Sequence, residues 1–319
     1  MTDPRRWMTP LCWLLVAPGL GWAAVRLAGL EPGPVVPLLA FTPYVAAWTP
    51  VPLLAALGLR RWWPAGVAAL AMLVLAAVVL PRAVPADPPA DGGPTLRVLT
   101  ANLLAGAADP AALLALVRAE RIDVLAVQEF TPDAEVALDR LGLADLLPYR
   151  QVNPEPGTTG SGLFARFPLT DGGTRRNAGG FSQSYAVLTA PGVRPLAVES
   201  VHPLAPYAPE ALADWRAGLR AQPPAEPGGP PRILAGDFNA TLDHALLRRL
   251  LATGYVDAAA NTGAGLVGTW GPYDGDPIPP VTIDHVLVDR RIGVRDAAVR
   301  PLPGSDHRAV VATLAPPAG

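Results

Sequence analysis

The sequence contains no lysine, a single cysteine and only four histidines in 319 residues. Without lysine every positive charge is an arginine, a bias of composition that carries no mechanism of its own. With Cys12 alone, inside an apolar run, no intrachain disulfide can form and the redox compartment stays open. No internal repeat is present. Basic charge is sparse where a polyanion would demand it: from residue 95 onward 19 arginines stand against 23 acids, a formal charge of about −4. No basic face for nucleic acid is advertised.

What is abundant is apolar sequence, and it is unevenly spread. Residues 1–94 hold six arginines and four acids, nearly all outside three long apolar runs. Runs 7–25, 35–59 and 62–80 are each long enough to cross a hydrocarbon core of roughly 30 Å as helices, which predicts about three transmembrane helices within residues 1–80. The middle run contains Pro37, Pro43, Pro50 and Pro52, each removing a backbone donor, so its helix is expected to be kinked or partly broken. Arg5 and Arg6 precede the first run, and Arg60 and Arg61 separate the second from the third. The positive-inside rule puts both clusters on the cytoplasmic side, and three crossings leave the remainder outside. A re-entrant middle run would reverse that placement. A cleaved signal peptide has one apolar region of roughly 7 to 15 residues, which three longer runs do not match. The expectation is a multi-pass protein of the cell membrane, contacting the lipid bilayer through residues 1–80, with its second domain on the extracytoplasmic side.

Residues 81–94, PRAVPADPPADGGP, are rich in proline and glycine without apolar periodicity, and read as a semi-stiff spacer. The second domain, 95–319, mixes short apolar strands with helices. Strands are predicted at 96–101, 122–127, 162–166, 184–189, 196–201, 233–235, 282–288 and 309–314. Helices are predicted from the Asp109 cap to 120, from near Pro132, and over 209–220 and 243–252. This pattern suggests an α+β fold of two sheets packed face to face with helices outside.

Acids, amides and histidines stand immediately after these apolar runs. Asn102 follows LRVLTA, Glu129 follows DVLAVQ, His202 follows LAVESV, and Asp237 and Asn239 follow RILAG. Asp284 and His285 lie in TIDHVLV; Ser305, Asp306 and His307 lie in GSDHRAV. Since strand residues alternate between faces, His285 points away from Asp284 and reads as packing. His244 reads as a surface or first-turn residue, and Thr269 either supports the site through its hydroxyl or packs in a strand.

In order along the chain, ANLL, QEF, HPLAP, GDFNAT, TW, IDHVLV and SDHR resemble the motif series of the endonuclease/exonuclease/phosphatase superfamily, whose fold is deoxyribonuclease-I-like. The resemblance covers the whole second domain and none of the first. It implies a four-layer α/β/β/α sandwich and a divalent-metal-dependent phosphoesterase. It makes Glu129 the principal metal ligand, with Asn102 and Asp306 completing the site. Mg²⁺ suits such hard oxygen donors, and Mn²⁺ should substitute. The resemblance makes His307 a base with Asp284 as its partner, gives Asp237 a part in orienting or deprotonating the nucleophilic water, has Asn239 hydrogen-bond the phosphate, and has His202 contact the phosphate or assist the leaving group. Whether Asp237 or His307 takes the proton is left open.

Members of the superfamily cleave many phosphoesters with one shared core, so the motifs do not name the substrate. Membrane attachment favours a lipid head group, a cell-envelope phosphoester or nucleic acid, and no protein partner is evident. A membrane-tethered nuclease is the alternative enzyme; a non-catalytic membrane scaffold is the alternative of another class.

Overall fold

In the computed structural model, residues 5–89, 93–271 and 278–319 are described, with side chains from Trp7 on. The Arg5 and Arg6 side chains, part of the 81–94 spacer and residues 272–277 lie outside the described residues. The chain divides into two units: Met1–Pro81 with Leu242–Ala245, and Arg82–Thr241 with Leu246–Gly319.

The first unit is helical: α1 (Arg5–Ala28), α2 (Val35–Leu39), α3 (Thr42–Trp48), α4 (Pro50–Gly58) and α5 (Trp62–Val79). Sequence reasoning predicts one interrupted span over 35–59, and the structure corrects this to three short helices of 5, 7 and 9 residues. Pro43 and Pro50 sit in the first turns of α3 and α4, where a missing N–H is tolerated but the preceding helix cannot continue. Among the described residues, two helices rather than three are therefore long and apolar enough to cross a membrane, Trp7–Ala28 and Trp62–Ala83. His244, expected at a surface, is buried within this unit with Nε2 2.8 Å from the Val36 carbonyl oxygen.

In the second unit the apolar runs become two six-stranded sheets. The first contains β1 (Leu96–Asn102), β2 (Val124–Gln128), β3 (Tyr149–Asn153) and β4 (Ser161–Ala165). The second contains β5 (Leu169–Arg176), β6 (Ser182–Leu188), β7 (Leu196–Val201), β8 (Arg232–Asp237), β9 (Tyr255–Asp257) and β10 (Asp284–Asp289). The chain then returns to the first sheet as β11 (Gly293–Arg300) and β12 (Ala309–Ala315), giving strand orders β11-β12-β1-β2-β4-β3 and β5-β6-β7-β8-β10-β9.

Alternation along the strands builds two cores. Val98, Val124, Ala126 and Leu163 from the first sheet meet Leu188, Val198, Ile233, Val286 and Val288 from the second. The neighbouring residues Leu99, Leu125 and Val127 point the other way, onto α6 (Pro110–Ala119), α7 (Pro132–Arg140) and α8 (Leu143–Leu146). Asp109 caps α6, accepting from the Ala111 and Ala112 amides, and Thr131 caps α7 in the same way through Ala134. Two sheets with flanking helices, an α+β sandwich, agree with the predicted class.

Candidate active site

Strand direction decides where the polar residues gather. β1 runs parallel to β2, and β7 parallel to β8, so Asn102, Glu129, His202 and Asp237 all leave strands at carboxyl ends. β10 is antiparallel to β8, and its first residue, Asp284, is registered opposite Asp237. β12 is antiparallel to β1, which returns Ser305, Asp306 and His307 to the same edge. Eight residues singled out in the sequence, Asn102, Glu129, His202, Asp237, Asn239, Asp284, Asp306 and His307, thus converge from both sheets.

The contacts are close. The Asn102 amide donates from Nδ2 to Glu129 Oε1 and to Asp237 Oδ2, each at 3.1 Å, bridging the two sheets. The Ala105 amide donates to Glu129 Oε2 at 2.6 Å, and Leu104 donates to Asn102 Oδ1 at 3.0 Å. His307 Nδ1 lies 2.9 Å from Asp284 Oδ2, and its Nε2 lies 3.7 Å from Asp237 Oδ2. Asn239 donates its backbone N–H to Asp237 Oδ1 at 2.8 Å. Thr269 Oγ1 accepts the Ile283 and Asp284 amides, both at 3.0 Å, so its hydroxyl does support the start of β10. Trp270 donates its indole N–H to Asp306 Oδ2 at 2.9 Å. Of these supports the sequence showed Thr269 and Trp270 only as a TW pair, and the Leu104 and Ala105 amides not at all, because backbone donors leave no residue-type signature.

Local backbone geometry is unusual here. Glu129, Asn239, Leu104 and Ala105 have φ values of 55°, 48°, 47° and 50°, the left-handed region that non-glycine residues seldom occupy. Such conformations persist where surroundings over-determine them, as the amide contacts to Glu129 and Asp237 do. Gly236 answers a different need. A Cβ there would fall 2.0 Å from the Val201 carbonyl oxygen, so only glycine lets β7 and β8 approach as they do beside His202 and Asp237.

Burial sets the electrostatics. Burial pushes Asp237 up to about 7, an effect that the charge on His307 opposes and that on Asp284 reinforces. Burial pulls His307 down, but the Asp284 and Asp237 carboxylates outweigh it and raise the imidazole to about 10. Burial, assisted by the charge on His307, lowers His202 to about 3, so that ring is neutral. Burial also raises Glu129, against the Asn102 and Ala105 hydrogen bonds. His285 is not part of this cluster: it is buried, with Nδ1 2.8 Å from Asp257 and Nε2 2.9 Å from the Ala240 carbonyl.

The donor set suits a hard divalent cation. Asp237, Asp284 and His307 each bring a ligand atom within 4.8 Å of the others. A few ångströms away, Asp306 Oδ1 is buried with no hydrogen-bond partner, and lies 3.9 Å from His307 Nε2. A buried carboxylate oxygen without a donor is expensive unless a cation meets it.

A two-sheet α+β sandwich carrying carboxylates, amides and imidazoles along one edge can hold a hard cation and position polar donors beside it. The model of the endonuclease/exonuclease/phosphatase family matches residues 99–307, and the chain belongs to that family, whose members are metal-dependent phosphoester hydrolases. No curated protein matches the sequence significantly. Solved structures share the fold at low identity. An endonuclease/exonuclease/phosphatase from Beutenbergia cavernae has a TM-score of 0.57 at 20% identity, covering 70% of this chain and 72% of that one. A family protein from Leptotrichia buccalis gives 0.53 at 14%, covering 69% and 99%. D. rerio TDP2, complexed with a single-strand DNA product, gives 0.52 at 16%, covering 69% and 98%.

Proposed function

We propose that this chain is a divalent-metal-dependent phosphoesterase that hydrolyses a phosphodiester or phosphomonoester by attack of an activated water. The observation that carries the reading is the convergence of Asn102, Glu129, Asp237, Asp284 and His307 from five strand ends of two sheets. Glu129, Asn102 and Asp306 would hold the ion, and Mg²⁺ fits this carboxylate and amide set, with Mn²⁺ as substitute. The unpartnered Asp306 oxygen supports that position. Asn102 would ligate through Oδ1, the atom that here accepts from the Leu104 amide. When bound, the ion offsets charge gathering on the phosphoryl oxygens and the leaving group.

Asp237 is the better base of the two candidates. Its carboxylate, raised to about 7, is poised near neutrality, whereas His307, raised to about 10, holds its proton there. His307 therefore acts as an imidazolium oriented by Asp284, a donor toward the phosphate. Neutral His202 and the Asn239 amide are donors to the remaining phosphoryl oxygens.

The two long apolar helices support membrane anchoring. Only 28% and 33% of their apolar windows are buried, and Trp7, Leu14, Leu70 and Leu73 are each more than half exposed. Helices this apolar and this open to their surroundings need an apolar solvent. We place the protein in the cell membrane, where two crossings with Arg5 and Arg6 inside return the catalytic unit to the cytoplasmic side and a third crossing over 35–59 would put it outside.

The test is hydrolysis of bis-p-nitrophenyl phosphate by the full chain in detergent micelles, with Mg²⁺, Mn²⁺ or EDTA. Cleavage that EDTA removes, and that falls by about 10²-fold or more in Glu129→Gln and His307→Asn, is expected. Undiminished turnover in EDTA or in both variants would sink the assignment.

A further inference from the structure

The site opens into a cleft of about 410 Å³ whose floor is Glu129, His202, Asp237 and His307. Its walls are of another character: Leu104, Phe181, Leu204, Ala205, Tyr207 and Trp270. Two of these are conspicuous in solvent, Tyr207 at 73% exposure and Leu104 at 38%. Among the described residues no arginine lines the cleft, and the sequence contains no lysine to take its place. The arginine pair that could have greeted a polyanion is already committed. Arg175 donates to Glu199 at 2.5 Å and to Gln222 at 2.8 Å; Arg176 donates to Glu155 at 2.5 Å and to the Gly180 carbonyl at 2.7 Å.

We infer that the cleft selects a phosphoester bearing one apolar or aromatic organic group, gripped by Leu104 and Tyr207, over a strand carrying several phosphates. The inference rests on the phosphoesterase reading and names its substrate class. A polynucleotide owes most of its affinity to cationic side chains along its backbone. Among the described residues this cleft provides one, the His307 imidazolium at the reacting position, and its acidic floor repels every further phosphate. An apolar substituent instead removes exposed leucine and tyrosine surface from water, a gain independent of charge. Leu104 is well placed for this. Its left-handed backbone is fixed by the bond to Asn102 Oδ1, and the next amide holds Glu129, so the apolar wall and the ligand carboxylate are set by one turn.

The experiment measures binding and turnover separately, on the full chain in detergent micelles with Mg²⁺. Calorimetry compares methyl-, butyl- and phenylphosphonate, which share a phosphonate and differ in the apolar group. Butyl and phenyl are expected to bind about tenfold tighter than methyl. That preference should shrink in Tyr207→Ala and in Leu104→Asn, the latter chosen because asparagine tolerates the left-handed backbone. In parallel, cleavage of bis-p-nitrophenyl phosphate should change little between about 50 and 200 mM salt, with oligothymidylate a poor substrate. Equal affinity for the three phosphonates, or preferred cleavage of oligothymidylate with a steep salt dependence, would overturn the inference. Selective binding without turnover of any ester would overturn the phosphoesterase reading alone, and turnover without selectivity would overturn the selectivity alone.

Discussion

At the scale of single residues, the assignment of the base makes a kinetic prediction. If Asp237 takes the proton from water, it must first lose its own, so kcat should rise about tenfold per pH unit below its value near 7 and level off above it. Asp237→Asn should lie about 10³-fold lower and lose that rise. A wild-type profile governed instead by a group titrating near 10, the position of His307, would reverse the two roles. The residues themselves were legible because the chemistry needs uncommon side chains at strand ends: two of only four histidines, His202 and His307, fall in the cluster. Their protonation states were not legible. Those follow from burial and from carboxylates that the fold brings in from other strands, such as Asp284 and Asp237 beside His307.

At the scale of elements, β7 and β8 are pressed together where Gly236 passes the Val201 carbonyl. Gly236→Ala must force the strands apart, displacing His202 and Asp237 together. A loss of about 1 to 3 kcal/mol in thermal denaturation is expected, with activity falling more than stability would explain. An alanine variant with wild-type melting and turnover would show the contact to be slack. The same elements explain what the sequence could and could not reveal. The eight predicted strands all appear. The four missed, β3, β5, β9 and β11, are the four outer strands of the two sheets. Interior strands such as β2, β4 and β7 are buried along their whole length and read as apolar runs. An outer strand such as β5, LTDGGTRR, is half in solvent and reads as a loop. The proline-broken stretch from Val35 to Gly58 was misjudged for a related reason: its composition measures apolarity, and continuity depends on where each proline falls.

At the scale of the whole molecule, the cluster makes stability depend on pH and on metal. Asp237 and His307 act in one direction, while His202, lowered from 6.5 to about 3, acts in the other and offsets Asp237 below about pH 6.5. Asp237 is raised from 3.8 to about 7 and His307 from 6.5 to about 10, so at these two groups the folded state without metal binds more protons than the unfolded state over those intervals. Above about pH 6.5, where His202 is neutral in both states, stability is lost as pH rises through about 7 for Asp237 and about 10 for His307. In EDTA the melting temperature should fall from about pH 7 to pH 9, and Mg²⁺ at a hundred times its Kd should restore about 2.7 kcal/mol. A melting temperature that climbs with pH in EDTA would contradict the proton bookkeeping.

The reacting groups leave the ends of paired strands, while Leu204, Ala205 and Tyr207 sit on a turn beyond them. The division resembles a lathe, with a fixed headstock and an exchangeable chuck. A turn such as 204–208 can be rewritten without disturbing the register that sets Asp237 opposite Asp284. One scaffold can thereby be retooled for a new ester by altering a handful of positions that contribute nothing to bond cleavage.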